Sequence, residues 1–404
     1  MTTRPLHTQN PTRSDASTKI RLSILATAMV DALGGPAEFH GRFSFPLVTT
    51  MIPNKNFNLP PGVWTDDTSM TLCLARSLAT FKGGFDEKDQ LDADVNWESK
   101  GTLSAIGSCF DIGGTIRHAL HIYTDTAPPE QKNSTAERAL VKICETLSAE
   151  NCAGNGSLMR VLPVGLAYWR NEEEAKEYAR RSSMTTHPTL MCQEACVVWT
   201  GAIAKIMRET TTTTGLEEGR GNLTKLGVIE YFATFPYTNH KLRVALALPA
   251  DALRGMSSLT ADARETVYRD RHPIVQLIAR MESRPPNRKH RFSKTIPSDL
   301  SLPSSGYVLH TLVAALYCFL ATETFEEGAI MAVNLGNDAD TVGAVYAGLA
   351  GCWYATESEQ DGKGVFWTER VREWKERLVQ RELVEEVAEE LAEFSDSLET
   401  GRVS

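Results

Sequence analysis

From Asn334 the chain runs Asn-Leu-Gly-Asn-Asp-Ala-Asp-Thr, then continues through Val342 to Ala355 in mostly small, apolar residues. Gly343, Ala347, Gly351 and Ala355 recur every four positions, so the smallest side chains share one face of a helix. Such a face permits very close packing against a second helix, which places this segment inside a bundle. Asp338, Asp340 and the Thr341 hydroxyl stand at its start. Upstream, Thr65-Asp66-Asp67-Thr68 repeats the arrangement ahead of Met70, Leu74, Ala75 and Leu78 at helical spacing.

The rest of the chain keeps that period. Residues 18–33, 65–80, 135–149, 157–169, 188–208, 306–322, 325–334 and 341–355 show helical spacing, and alternating strand runs are scarce. The expectation is an all-α fold. Gly34-Gly35-Pro36 stops the first of these helices. Glu209 to Asn222, with five consecutive Thr and three Gly, reads as a loop insertion. Glu282 to Ser305 reads as another, with four Pro and the basic run Arg288-Lys289-His290-Arg291. Residues 1–17 read as a disordered tail, with a mitochondrial presequence as the alternative, and 367–404 as an exposed amphipathic helical extension.

Composition narrows the partners. The 404 residues carry 42 Lys and Arg against 51 Asp and Glu, a net charge of −9, so nonspecific nucleic-acid binding is not expected. No apolar run reads as a membrane span, and none resembles a secretory signal. The eight cysteines include no CxxC pair, which indicates reduced thiols. The expectation is a cytoplasmic monomer, with nucleus or mitochondrion as alternative compartments.

Each acidic cluster read alone is an ordinary helix cap, because Thr and Asp satisfy free N–H groups at a helix start. Together, two Asp pairs with no nearby His or Cys suit a hard divalent cation such as Mg²⁺, Mn²⁺ or Ca²⁺. Spacing does not reveal whether the two clusters meet. Asp31 falls in the last turn of its helix, where a negative charge opposes the dipole and calls for compensation. Glu38 lies just past the glycine pair. Gly154-Asn155-Gly156-Ser157 reads either as a plain turn or as a loop whose N–H groups approach a phosphate or sugar. His187-Pro188 opens a helix.

In order along the chain, these blocks resemble the ADP-ribosylglycohydrolase family. They are Asp31 to Phe39, Trp64 to Thr68, Gly154 to Arg160, Thr186-His187-Pro188, Ser305 to Val308 and Asn334 to Thr341. The resemblance implies a compact orthogonal multi-helix bundle, here one domain over residues 18–366, with two Mg²⁺ (or Mn²⁺) ions. It implies Thr65, Asp66, Asp67, Asp338, Asp340 and Thr341 as metal ligands. It further implies Glu38, Asp66, Asp67 and Asp340 as catalytic groups, and Asp31, Asn155, Gly156, Ser157 and His187 as substrate-binding residues. The expected reaction is hydrolysis at C1″ of an ADP-ribosyl group on a protein side chain or small conjugate. The alternatives are an inactive ADP-ribose binder or structural relative, and a two-metal phosphoesterase that would release phosphate. Three departures from the family pattern occur: Val30 for Gly, Ala339 for Thr, and Tyr354-Ala355 for Tyr-Gly. None removes a ligand. The resemblance leaves the leaving group open.

Overall fold

The computed structural model describes residues 4–81, 83–126, 132–212, 223–283, 296–357 and 364–400. Among these residues it has eighteen α-helices, and β-structure is confined to three isolated bridges. In chain order the helices are α1 (Ala16–Gly34), α2 (Asp66–Thr80), α3 (Glu87–Lys100), α4 (Gly114–Thr126), α5 (Lys132–Leu147) and α6 (Leu162–Ala167). Next come α7 (Glu172–Met184), α8 (Leu190–Thr210), α9 (Lys225–Thr234), α10 (His240–Leu246), α11 (Ala250–Leu253) and α12 (Ala261–Arg271). The last are α13 (Pro273–Glu282), α14 (Val308–Ala321), α15 (Phe325–Val333), α16 (Ala339–Tyr354), α17 (Glu369–Arg377) and α18 (Arg381–Thr400). The all-α expectation holds.

Local chemistry sets the boundaries. Asp15 caps α1 by accepting from Thr18 N at 2.8 Å, and Thr189 caps α8 by accepting from Cys192 N. The helix expected over 157–169 begins only at Leu162, because Gly154 to Arg160 is spent on a loop and Pro163 suits a first turn.

Nearly every residue of α1 and all of α16 are buried, and the two pack on each other. The four-residue stripe explains how. A Cβ on Gly343 would lie 2.9 Å from Val30 Cγ1, and one on Gly351 would lie 2.6 Å from Ser23 Cα. Gly34 approaches from the α1 side, where a Cβ would meet Asp340 Cα at 2.5 Å. The contact therefore runs the length of both helices and ends at the second acidic cluster.

Two expectations about the ends change. Residues 4–15 lie against the body: Leu6 is buried, Thr12 N donates to Trp353 O, and Gln9 O accepts from Lys225 N. Their sequence lacks periodicity because they form a strap held by backbone hydrogen bonds, not an amphipathic element. At the other end, α18 is amphipathic but is not an appendage. Val384, Val387, Ala388, Leu391 and Ala392 are buried where it packs on α1 and α2. Arg76 and Arg21 pair with Glu390 and Glu389 along its edge.

The stretches Ala16–Ala37 and Leu190–Thr210 are in fact long and apolar enough to span a membrane by composition, but 83% and 72% of those windows are buried within the protein. Residues 213–222 and 284–295, including the basic run, lie outside the described residues.

Candidate active site and metal centre

Asp31 shows how the site is assembled. Its carboxylate, at the end of α1, accepts from Thr65 N at 3.0 Å and Thr68 N at 3.0 Å. It also accepts from the Thr65 and Thr68 hydroxyls at 3.0 and 2.5 Å. The compensation its position called for is thus the N-terminus of α2, whose free N–H groups point at it. Burial raises its pKa to about 6, with the four donors opposing that rise.

This arrangement disposes of the simple capping account. Thr65 and Asp338 occupy the N-cap positions of α2 and α16, and neither side chain caps its own helix. Asp31 caps α2 from another helix, which leaves the acidic groups of both clusters free to converge. They do converge: the Thr341 hydroxyl donates to Asp67 Oδ2 at 3.1 Å across 274 residues of sequence. Carboxylate oxygens of Asp31, Asp67 and Asp340 lie within 4.8 Å of one another, as do those of Glu38, Asp111 and Asp340.

Like charges packed this closely are unfavourable without cations. Burial first, then Asp340, Asp111 and Asp338, pushes the Glu38 carboxyl far above the usual range. Asp66, Asp67, Asp338 and Asp340 are likewise raised, each chiefly by burial. Asp111 is pushed up to about 7, again by burial first. Glu38 Oε2, Asp67 Oδ1 and Asp111 Oδ2 are buried with no hydrogen-bond partner. Unpaired hard oxygens converging from three segments fit a divalent cation site.

The cluster forms one wall of a pocket of about 640 Å³. Of the residues expected in the site, Glu38, Asp66, Asp338, Asp340, Thr341, Asn155, Gly156 and His187 line it. Thr65, Asp67 and Asp31 sit behind that wall, so Asp31 anchors the cluster and has no substrate-facing surface. Ser157 is also turned away, its Oγ accepting from Ser183 Oγ at 3.0 Å. Asn155 faces the pocket, but its amide donates to Asp338 Oδ2 at 2.6 Å and to Thr311 Oγ1 at 2.8 Å, which braces a carboxylate.

Gly154 to Gly156 and Ile112 to Ile116, at the start of α4, also line the pocket, and they adjoin the acidic cluster at Asn155 and Asp111. A glycine loop beside a helix N-terminus suits phosphate oxygens. Glycine is required at 156, where a Cβ would meet His187 Cε1 and Ile116 Cδ1 at 2.8 Å each. His187 is set by a buried relay. Arg160 donates to Thr186 Oγ1 at 2.8 Å, so the Thr186 hydroxyl is free to donate to His187 Nδ1, also at 2.8 Å. In that direction the hydrogen bond goes with the tautomer that carries its proton on Nε2. Burial, with Arg160 nearby, lowers the His187 pKa to about 3 and keeps the ring neutral.

Asp111 is the residue missed by sequence reasoning. It lies in Phe110-Asp111-Ile112-Gly113, just ahead of α4, with φ of 61°. An Asp two residues ahead of a glycine pair is the signal that the sequence held.

The comparisons agree with this geometry. The profile of the ADP-ribosylglycohydrolase family matches residues 12–399. ADP-ribosylarginine hydrolase Tri1 of Serratia proteamaculans is 26% identical over 378 residues, covering 94% of this chain and 80% of that protein. The ADP-ribosyl-[dinitrogen reductase] glycohydrolase of Rhodospirillum rubrum is 25% identical over 369 residues, covering 89% and 92%. A solved ADP-ribosylglycohydrolase-related protein complex aligns with a TM-score of 0.58 at 30% identity, over 94% of this chain and 99% of that one. With a matching profile over nearly its whole length and an acidic centre assembled from the same blocks, the chain belongs to the ADP-ribosylglycohydrolase family of glycosyl-bond hydrolases.

Proposed function

We propose that this protein cleaves the C1″ glycosidic bond of an ADP-ribosyl group and releases ADP-ribose from a modified protein side chain or small conjugate. One observation carries the reading: Glu38, Asp111 and Asp340 converge in a pocket that is also lined by a glycine loop and a helix N-terminus. An anionic diphosphate fits the glycine loop and helix N-terminus, and a sugar carbon developing positive charge fits the carboxylates.

Asp66, Asp67, Asp338 and Asp340, with Thr65 and Thr341, would hold two Mg²⁺ or Mn²⁺ ions. When bound, these ions would neutralise the carboxylates and orient the hydroxyls of the distal ribose. The protein's own groups account for the rest. Asn155 fixes Asp338. His187 offers an uncharged Nε2–H to a ribose or phosphate oxygen. With the ions bound and the mutual repulsion relieved, Glu38 would ionise, and its Oε2, unpaired at the pocket wall, would take the proton of the attacking water.

Two relatives, from Serratia proteamaculans and Pseudomonas putida, are named for ADP-ribosylarginine, so an arginine conjugate heads the substrate panel. The test is product analysis with Mg²⁺ or Mn²⁺ on arginine-, serine- and acetyl-linked ADP-ribose. Release of intact ADP-ribose supports the reading. Release of inorganic phosphate would make the protein a phosphoesterase, and tight binding without turnover would make it an ADP-ribose binder.

A further inference from the structure

Arg42 follows Glu38 on the same loop but does not line the pocket. Its side chain is 1% exposed, so its charge carries a desolvation cost that an apolar side chain would avoid. The guanidinium is spent on two other segments. Nε donates to Leu335 O at 2.8 Å, across 293 residues of sequence. One terminal nitrogen donates to Pro297 O at 2.7 Å. The other donates to Leu302 O at 2.7 Å and to Ser304 Oγ at 3.0 Å, with Asp299 Oδ1 3.2 Å away. Acceptors on this many sides suit a planar fork of five N–H donors and not a single ammonium.

The partners of the fork lead back to the acidic centre. Leu335 shares its turn with Asp338, and Ser304 O accepts from Asp338 N at 2.9 Å. Ser304 Oγ, with Arg42 donating to it, is free to donate to Gly336 O at 3.0 Å. The turns bearing Glu38 and Asp338 also pair directly. Phe39 N donates to Asn337 O at 2.6 Å, and Asn337 N donates to His40 O at 2.7 Å. Phe39 and Asn337 both have left-handed backbones, with φ of 62° and 59°. Gly336 is left-handed too, and a Cβ there would meet His40 O at 2.6 Å.

Two turns in uncommon conformations are thus pressed together, and each presents an acid to the same cluster. Glu38 and Asp340 repel one another across that junction. The attraction that holds them at close range has to come from outside the pocket, and Arg42 bonds both the Asp338 turn and the loop that braces it.

We propose that Arg42 is a positioning residue: its fork fixes Glu38 relative to Asp338 and Asp340, and so sets ion binding and turnover without touching substrate. The proposal rests on the hydrolase reading above. Its test compares the wild type, Arg42→Lys and Ser304→Ala. The readouts are steady-state kinetics on arginine-, serine- and acetyl-linked ADP-ribose, calorimetric Kd for Mg²⁺, calorimetric Kd for ADP without divalent ions, and melting temperature. Arg42→Lys keeps the charge and loses the fork. Its kcat should fall about ten- to a hundredfold, the scale of a displacement of about 1 Å. Its Kd for Mg²⁺ should rise about tenfold, as for a lost partner behind the ligands of an ion. Ser304→Ala should shift both in the same direction by less. ADP affinity should hold in both variants, because no hydrogen bond of the fork reaches the glycine loop or α4.

A role in stability alone would lower the melting temperature and leave kcat and the Mg²⁺ Kd in place, and that result overturns the proposal. So does ADP affinity falling in step with kcat. If Arg42→Lys does not fold, Ser304→Ala decides by the same criteria. A wild type that releases ADP-ribose from none of the conjugates would instead remove the hydrolase reading. The brace would then be judged by Mg²⁺ alone: a weaker Kd in the variants upholds it, and an unchanged Kd or no binding by the wild type overturns it.

Discussion

Asp340 belongs to both carboxylate triplets, so it stands against Asp31, Asp67, Glu38 and Asp111. Asp340→Asn should remove a source of repulsion, and the melting temperature without divalent ions should hold or rise. The gain in melting temperature on adding Mg²⁺ or Mn²⁺ should vanish. For the wild type at a hundredfold excess over Kd, that gain corresponds to about 2.7 kcal/mol. A variant that keeps the full ion-induced shift would rule out Asp340 as a ligand. Thr186 makes a subtler case, because it touches His187 and not the pocket. Thr186→Val deletes the donor to Nδ1 and frees the ring to change tautomer. Affinity for ADP-ribose should fall about tenfold, the scale of one hydrogen bond of about 1.4 kcal/mol, and Thr186→Ser should recover it. Nitrogen NMR of the imidazole reports the tautomer directly, and an unchanged spectrum in Thr186→Val would refute the relay. At this scale the sequence was legible where residues came as pairs. Asp66 with Asp67, and Asp338 with Asp340, announce themselves by density. Asp111 is a single acid in a loop, and its role arises only when the fold carries it to Glu38. Ser157 failed for the opposite reason: a glycine-rich loop shows that the backbone bends, not which side chain turns inward.

Among the elements, the pair α1 and α16 carries the most information per residue. The small-residue stripe on α16 was readable from spacing alone, and it was read as a device for close approach. Its partner was not readable, because α1 has no matching stripe. The complement to Gly343 is Val30, the position where the family usually has Gly, so this chain fills with a branched side chain a gap left by its partner helix. Gly351→Leu should drive a side chain into Ser23 and destabilise the protein by roughly 1–3 kcal/mol, measured by denaturant unfolding. Gly34→Ala is a different test, since its Cβ would strike the backbone of Asp340 itself. Activity and metal affinity should drop by more than stability does, and a fall in stability alone would show that the first turn of α16 tolerates displacement.

At the scale of the whole molecule, the ends of the described chain are integral. The strap before α1 and helix α18 both press on the core, and neither was legible as such. The strap is polar and aperiodic. The apolar face of α18 was visible, but an amphipathic pattern does not name the surface it covers. Two buried lysines tie neighbouring segments of that core together. Lys19 Nζ donates to Thr12 O and Cys352 O, and Lys225 Nζ donates to Phe319 O and Thr322 O at the end of α14. Burial lowers their pKa values to about 8 and about 7 from 10.5. For Lys225, the unfolded chain holds more protons than the folded one between about pH 7 and 10.5, so this group makes stability rise with pH through that window. The stability of the wild type relative to Lys225→Met should increase by about 1.4 kcal/mol per pH unit above pH 7 and stay flat below it. Parallel curves from pH 6 to 9 in chemical denaturation would contradict the buried charge.

The hydroxyl contact from Thr341 to Asp67 closes a loop of 274 residues. A chain emerging from the ribosome therefore has its first acidic cluster long before it has the second. No N-terminal fragment ending before α16 contains the centre, and mutual repulsion keeps the carboxylates apart until α16 docks. Ion capture then becomes a late event that rewards only the finished fold, so divalent cations would slow unfolding of this protein more than they hasten its folding.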